Sequence, residues 1–117
     1  MMNFDDYQKR AKKTKIYPVE EIIRYPALGL AGECGEVCEI IKKYTRDNLW
    51  NPDLEDDIKQ FDKMTAKVEL ELGDVLWYVA NLADDLGLSM QTIATKNINK
   101  LRDRQRRNVL HGEGDDR

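Results

Sequence analysis

Residues 26–45 read PALGLAGECGEVCEIIKKYT, and the spacing within this stretch decides the fold. Proline is favourable as the first residue of a helix, and Leu30, Val37, Ile40, Ile41 and Tyr44 recur behind it every three or four positions. At about 100° per residue these side chains share one stripe, which predicts a helix from about Pro26 to about Thr45. Glu33 falls in the middle of that stripe, so a carboxylate is aimed at the core. Glu36 sits one turn on, at the stripe's edge, and residues so spaced stand about 5–6 Å apart at Cβ. That spacing suits chelation.

A second stretch, residues 68–88, reads VELELGDVLWYVANLADDLGL and repeats the pattern. Val68, Leu72, Val75, Val79, Leu82 and Leu86 form its stripe; Glu71 stands at the border, with Asp74 and Tyr78 beside it. This helix begins between Pro52 and Lys59 and ends at Leu86, before the stop signal of Gly87. Asn3, an N-cap followed by Asp5 and Asp6, opens an earlier helix that runs to about Lys15. A linker with Tyr17 and Pro18 follows it, and Arg46 to Pro52 reads as a loop. Ser89 caps a last helix carrying Met90, Ile93, Ala94, Ile98 and Leu101 to about Arg107. Residues 111–117 have no packing face of their own and read as a flexible tail. The fold class is therefore all-α, a four-helix bundle.

Composition sets the bounds. The 117 residues, 41% hydrophobic and 35% charged, suit a single domain spanning 1–117. No apolar run approaches the roughly 20 residues that span a bilayer, and the first residues lack the basic and apolar regions of a signal peptide. A soluble, cytoplasmic protein without a membrane partner is expected. A net charge of −3 and a pI near 5.2 argue against a nucleic-acid partner. Cys34 and Cys38 lie four apart in a helix, and the single His111 does little to complete a zinc site; both read as reduced packing residues.

Packed helices lie about 8–10 Å apart, a gap that Glu33, Glu36, Glu71 and Asp74 can bridge around one ion. Two like charges about 6 Å apart repel by about 0.7 kcal/mol in water and by about 3 kcal/mol at an effective dielectric near 20. Four acids inside a bundle therefore need a cation or protons, and hard oxygen ligands favour Mg2+ or Mn2+ over zinc. The competing reading is that a chain with 22 Asp and Glu displays acids on solvated helices. Gly29, Gly32 and Gly35 each cost a helix up to about 1 kcal/mol against alanine. They either leave space for ions and phosphates or let helices pack closely. Lys96, Lys100, Arg102, Arg104, Arg106 and Arg107 make the last helix basic, mostly as a solvated face near its C-terminus. Asn97 falls on the side of Ile93 and Met90, and with Arg104 it flanks the stripe.

These residues, in this order, resemble the MazG-like nucleoside triphosphate pyrophosphohydrolases, an all-α superfamily that also holds dimeric dUTPases, dCTP pyrophosphatases and phosphoribosyl-ATP pyrophosphatases. PALGLAGECGEVCEIIKK (26–43) is similar to the first acidic motif, ELGDVLWYVANLADDLGL (71–88) to the second, and KNINKLRDRQRRNVLHGEGDDR to the tail of small single-domain members. The resemblance implies that Glu33, Glu36, Glu71 and Asp74 bind Mg2+, with Mn2+ as a substitute. It implies that Tyr78 lies near the nucleotide and that Lys96, Asn97, Lys100 and Arg104 meet its phosphates. The family's first motif often opens with two adjacent glutamates; Gly32 replaces the first here, which leaves the general base to a spare carboxylate such as Glu36.

The implied reaction converts an NTP or dNTP to the nucleoside monophosphate and pyrophosphate in a homodimer or homotetramer. A narrow-specificity cousin, a dUTPase or phosphoribosyl-ATP pyrophosphatase, differs only in which substrate turns over. A non-catalytic nucleotide- or partner-binding module differs in showing affinity without turnover.

Overall fold

The computed structural model describes residues 1–47 and 53–117. Among these residues there are four α-helices and no strand: α1 (Phe4–Lys12), α2 (Arg24–Asp47), α3 (Glu55–Asp85) and α4 (Met90–Arg106), with a short 3-10 turn at Val19–Glu21. Asn3 caps α1 as expected; its side chain accepts the Asp6 N–H at 2.8 Å while the Asp6 carboxylate accepts the Asn3 N–H at 3.3 Å. α2 starts two residues before Pro26, which still falls in the first turn, where its missing N–H has no intrahelical partner. α2 also runs through Arg46 and Asp47, which the sequence assigns to the loop. The rest of that loop, 48–52, lies outside the described residues.

Gly87 ends α3 at a φ of +71°. The Leu88 N–H returns to the Ala83 carbonyl at 2.8 Å and the Gly87 N–H to that of Asp84 at 3.0 Å, satisfying two terminal acceptors. Asn108, at φ +56°, ends α4 in the same way, with Val109 N–H on the Arg104 carbonyl.

α2 and α3 form a long antiparallel hairpin, their most extensive contact. Tyr44 meets Phe61 at one end, with 6.2 Å between ring centroids, and Gly29 meets Tyr78 near the other. α1 packs on α3, and α4 packs principally on α1. The buried core is small: Ala11, Ala80, Ala83 and Met90, flanked by Tyr7, Leu76, Trp77 and Val79. Gln8 stitches the junction before α4 to α1, donating to the Leu88 carbonyl at 2.8 Å and accepting the Met90 N–H at 2.9 Å.

Several residues expected in the core are exposed in the single chain. Leu72, Leu86, Ile93, Ile98 and Leu101 all face outward, as does Asn97. Cys34 and Cys38 are free and exposed, so neither has the packing role expected of it within one chain. The four helices thus do not close a bundle by themselves. No described helix is long and apolar enough to cross a membrane.

Candidate metal centre

The α2–α3 hairpin brings Glu33, from α2, against Glu71 and Asp74, from α3. One carboxylate oxygen of each lies within 4.8 Å of the others. The i,i+3 spacing places Glu71 and Asp74 on one side of α3, and the antiparallel register sets Glu33 opposite them. Glu36, one turn along α2, is exposed and stands outside the trio.

None of the three pairs with a cation among the described residues. The consequence shows in Glu33, whose carboxyl is held above the ordinary glutamate range. Desolvation contributes most, followed by the charges of Asp74 and Glu71, a hydrogen bond with Glu71 and the charge of Glu36. Three hard oxygen donors from two rigid helices, mutually repelling and without a counter-charge, fit Mg2+ or Mn2+.

Tyr78 lies over Gly29 so closely that a Cβ at residue 29 would overlap its ring. Close packing is therefore the reason for glycine at this position, whereas a Cβ at Gly32 or Gly35 would meet nothing within 4 Å. Tyr78 stands one turn from Asp74 on α3 and packs on Gly29, one turn from Glu33 on α2, and its hydroxyl is shifted upward by burial first, then by Tyr25, Glu33 and Asp74. Tyr25 stands 6.3 Å from Tyr78 between centroids and stacks on Tyr17 at 4.8 Å, so an aromatic wall flanks the acidic trio.

Sequence reasoning missed what holds this wall. Asp85 accepts Lys15 Nζ at 2.6 Å, the Tyr17 hydroxyl at 2.9 Å and the Ile23 N–H at 2.9 Å. Partners so far apart in the chain leave no local signal; only the placement of a second acid beside Asp84 at the end of an amphipathic helix hinted at it.

The α4 groups are not brought to the acids within one chain. Lys96 and Asn97 are exposed. Lys100 Nζ is 3.2 Å from the Asp115 carboxylate, and Arg104 is buried, its Nη2 donating to the Asp115 carboxylate at 3.1 Å and to the Asp115 carbonyl at 3.0 Å. The segment expected to be a free tail is thus tied back onto α4. Arg117 adds to the closure by donating to the carbonyls of Val109, Leu110 and Gly114.

Comparison with known proteins bears on the family of the chain. The family model for the MazG nucleotide pyrophosphohydrolase domain matches residues 26–109, a span that includes both acidic pairs and most of α4. "Gene 37 protein" of Mycobacterium phage L5 is 38% identical over 124 aligned positions, covering 99% of this chain and 100% of its own length. No solved structure is significantly similar. With two acid-bearing helices in an all-α frame and a family match across most of its length, the chain belongs to the MazG nucleotide pyrophosphohydrolase family.

Proposed function

We propose that the protein hydrolyses nucleoside triphosphates, ribo- or deoxyribo-, to the nucleoside monophosphate and pyrophosphate in the presence of Mg2+, with Mn2+ able to substitute. The observation that carries this reading is the convergence of Glu33, Glu71 and Asp74 without a cation to balance them. These three carboxylates would hold the metal, with Glu36 joining as a fourth ligand or acting as the base. When bound, the ion supplies positive charge against the phosphate oxygens and acidifies water for attack.

The chain's own groups do the rest. Glu36, exposed beside the trio, accepts the proton of the attacking water at its carboxylate. A bond forms from the water oxygen to the α-phosphorus, the bond from that phosphorus to the α–β bridging oxygen breaks, and pyrophosphate leaves with the electron pair. Tyr78, beside Glu33 and Asp74, borders the nucleotide.

The assembly is a homodimer or homotetramer. The chain exposes 9029 Å2, whereas a folded monomer of 13.6 kDa exposes about 6,600 Å2. A neighbouring copy would cover the outward apolar residues and bring Lys96 and Asn97 to the phosphates, with Lys100 and Arg104 joining once they exchange Asp115 for the substrate. The test is pyrophosphate release from each common NTP and dNTP across a Mg2+ titration. Wild type is expected to release it, while Glu71→Ala and Asp74→Ala remain folded and inactive; variants as active as wild type would refute the reading.

A further inference from the structure

The residues after α4 form a built structure. Gly112 at a φ of +139° and Gly114 at +78° reverse the backbone where a side chain would be strained, and so return Asp115 to a helix it left ten residues earlier. Arg117 donates to the carbonyls of Val109, Leu110 and Gly114, all within the tail itself. These internal bonds survive if the tail lifts from α4 as one body. Beyond the turn that ends the helix, its hold on α4 comes from Asp115 and from one bond that Arg107 donates to the Arg117 carbonyl at 2.9 Å.

The Asp115 contact is lopsided. A single oxygen, Oδ1, accepts both Lys100 Nζ at 3.2 Å and Arg104 Nη2 at 3.1 Å, and Oδ2 has no partner among the described residues. Lys100 and Arg104 are four apart, so they present their charges on one face of α4. Arg104 is 4% exposed. Its Nη2 serves three acceptors, the Asp115 carboxylate and the carbonyls of Asp115 and Gly114, while its buried Nε serves none. A guanidinium is a planar fork that suits two parallel bonds to one oxyanion, and a buried donor without an acceptor is costly. The tail fills one tooth of that fork. An oxyanion bonded by Nη2 and Nε together satisfies it better, and a phosphoryl group has the oxygens to do so and to reach Lys100. The tail is also held weakly, because the Asp115 side chain is 84% exposed and that of Lys100 42%, and ion pairs so exposed contribute little.

We propose that Asp115 is a built-in competitor of the substrate: its carboxylate occupies the seat at Lys100 and Arg104 that a phosphoryl group takes, and the tail leaves that seat when nucleotide binds. The inference rests on the reading of Lys100 and Arg104 as phosphate contacts and adds regulation to it. A latch of this kind lowers apparent affinity by the fraction of chains in which it is open.

The test compares Asp115→Ala with Asp116→Ala in the full chain. Both remove one tail charge, but Asp116 is exposed and has no bonded partner among the described residues, so it controls for net charge. Calorimetric affinity for inorganic tripolyphosphate in Mg2+, a probe that needs no turnover, should rise about threefold or more in Asp115→Ala and stay at the wild-type value in Asp116→Ala. KM for a nucleoside triphosphate should fall by the same factor with kcat unchanged, because the latch is already open in the complex. The difference between the two variants should narrow as salt rises, since screening loosens the latch in the chain that keeps it. In wild type itself, NMR order parameters of the amides of residues 112–117 should fall when tripolyphosphate saturates the protein. Unchanged affinity and KM in Asp115→Ala, or order parameters that do not respond in wild type, with nucleotide still turned over, would overturn the latch and leave the reaction standing. Tighter tripolyphosphate binding by Asp115→Ala, with no pyrophosphate released from any nucleotide, would overturn the reaction and leave the latch.

Discussion

Glu33 is the residue at which the cost of the acidic trio is measurable. Its pKa is raised in the folded chain, so its contribution to stability is full below the ordinary glutamate range and is lost as pH rises through the raised value. The neighbouring acids and desolvation make ionisation of Glu33 less favourable in the folded chain than in the unfolded one. Calorimetry in EDTA at pH 7 is expected to give Glu33→Gln a higher Tm than wild type, and added Mg2+ should raise the wild-type Tm while leaving the variant nearly unmoved. Equal responses to Mg2+ would exclude Glu33 from the metal. Gly29 is opposite in kind: Gly29→Ala drives a methyl group into the Tyr78 ring and should cost about 1–3 kcal/mol by urea unfolding. The position of Glu33 on a packing face was legible in sequence because a helix's period is fixed. The reason for Gly29 was not, since the ring that requires it lies 49 positions away on another helix.

At the scale of elements, helix starts and stops follow from caps and periodicity, which are local, whereas the linker between α1 and α2 depends on distant partners. Asp85 organises it from α3. Its side chain is 2% exposed, and although burial pushes its pKa up, Lys15, the Ile23 N–H and the Tyr17 hydroxyl hold it below the ordinary aspartate value. Tyr17 in turn is pushed up to about 12, by burial first and by its bond to Asp85 second. The same carboxylate steadies Ile23 at a φ of +67°, a backbone region that β-branched residues avoid. Asp85→Asn should destabilise the protein by about 3 kcal/mol, the scale for removing one member of a buried pair. Because the folded pKa is lowered, this stabilisation is present above the unfolded value and is lost as pH falls through the folded one. Urea unfolding should therefore show a gap between wild type and variant at pH 7 that narrows in acid; a gap independent of pH would assign the loss to packing. Arg104 shows the same limit of local reading: its place beside the apolar stripe reads as a ligand contact, whereas residues ten and eleven further on fold back over it.

The whole molecule departs from what a chain of this length needs in isolation. Its radius of gyration is 18.0 Å, against about 13 Å for a compact domain of similar length. The excess exposed surface is about 2,400 Å2 per chain over a folded monomer of this mass, about 4,800 Å2 for two chains, and obligate interfaces bury roughly 2,000–5,000 Å2 over both partners. The sequence marks Ile98 and Leu101 as core, and the helical period that marks them is sound. What one sequence does not carry is what covers them. Both residues stand outward on α4, at 47% and 38% exposure, on a helix that rests mainly on α1. If a second copy covers them, sedimentation should give a multiple of 13.6 kDa, and Tm should rise with protein concentration by mass action. Ile98→Glu/Leu101→Glu then places two charges in that contact, so the expected product is a monomer with a lowered Tm independent of concentration. Pyrophosphate release should fall with it if the α4 groups of one copy serve the acids of another, while Mg2+ uptake at Glu33, Glu71 and Asp74 persists wherever the α2–α3 hairpin survives. A wild-type protein that sediments as a monomer at every concentration and releases pyrophosphate would show that one chain completes the site alone.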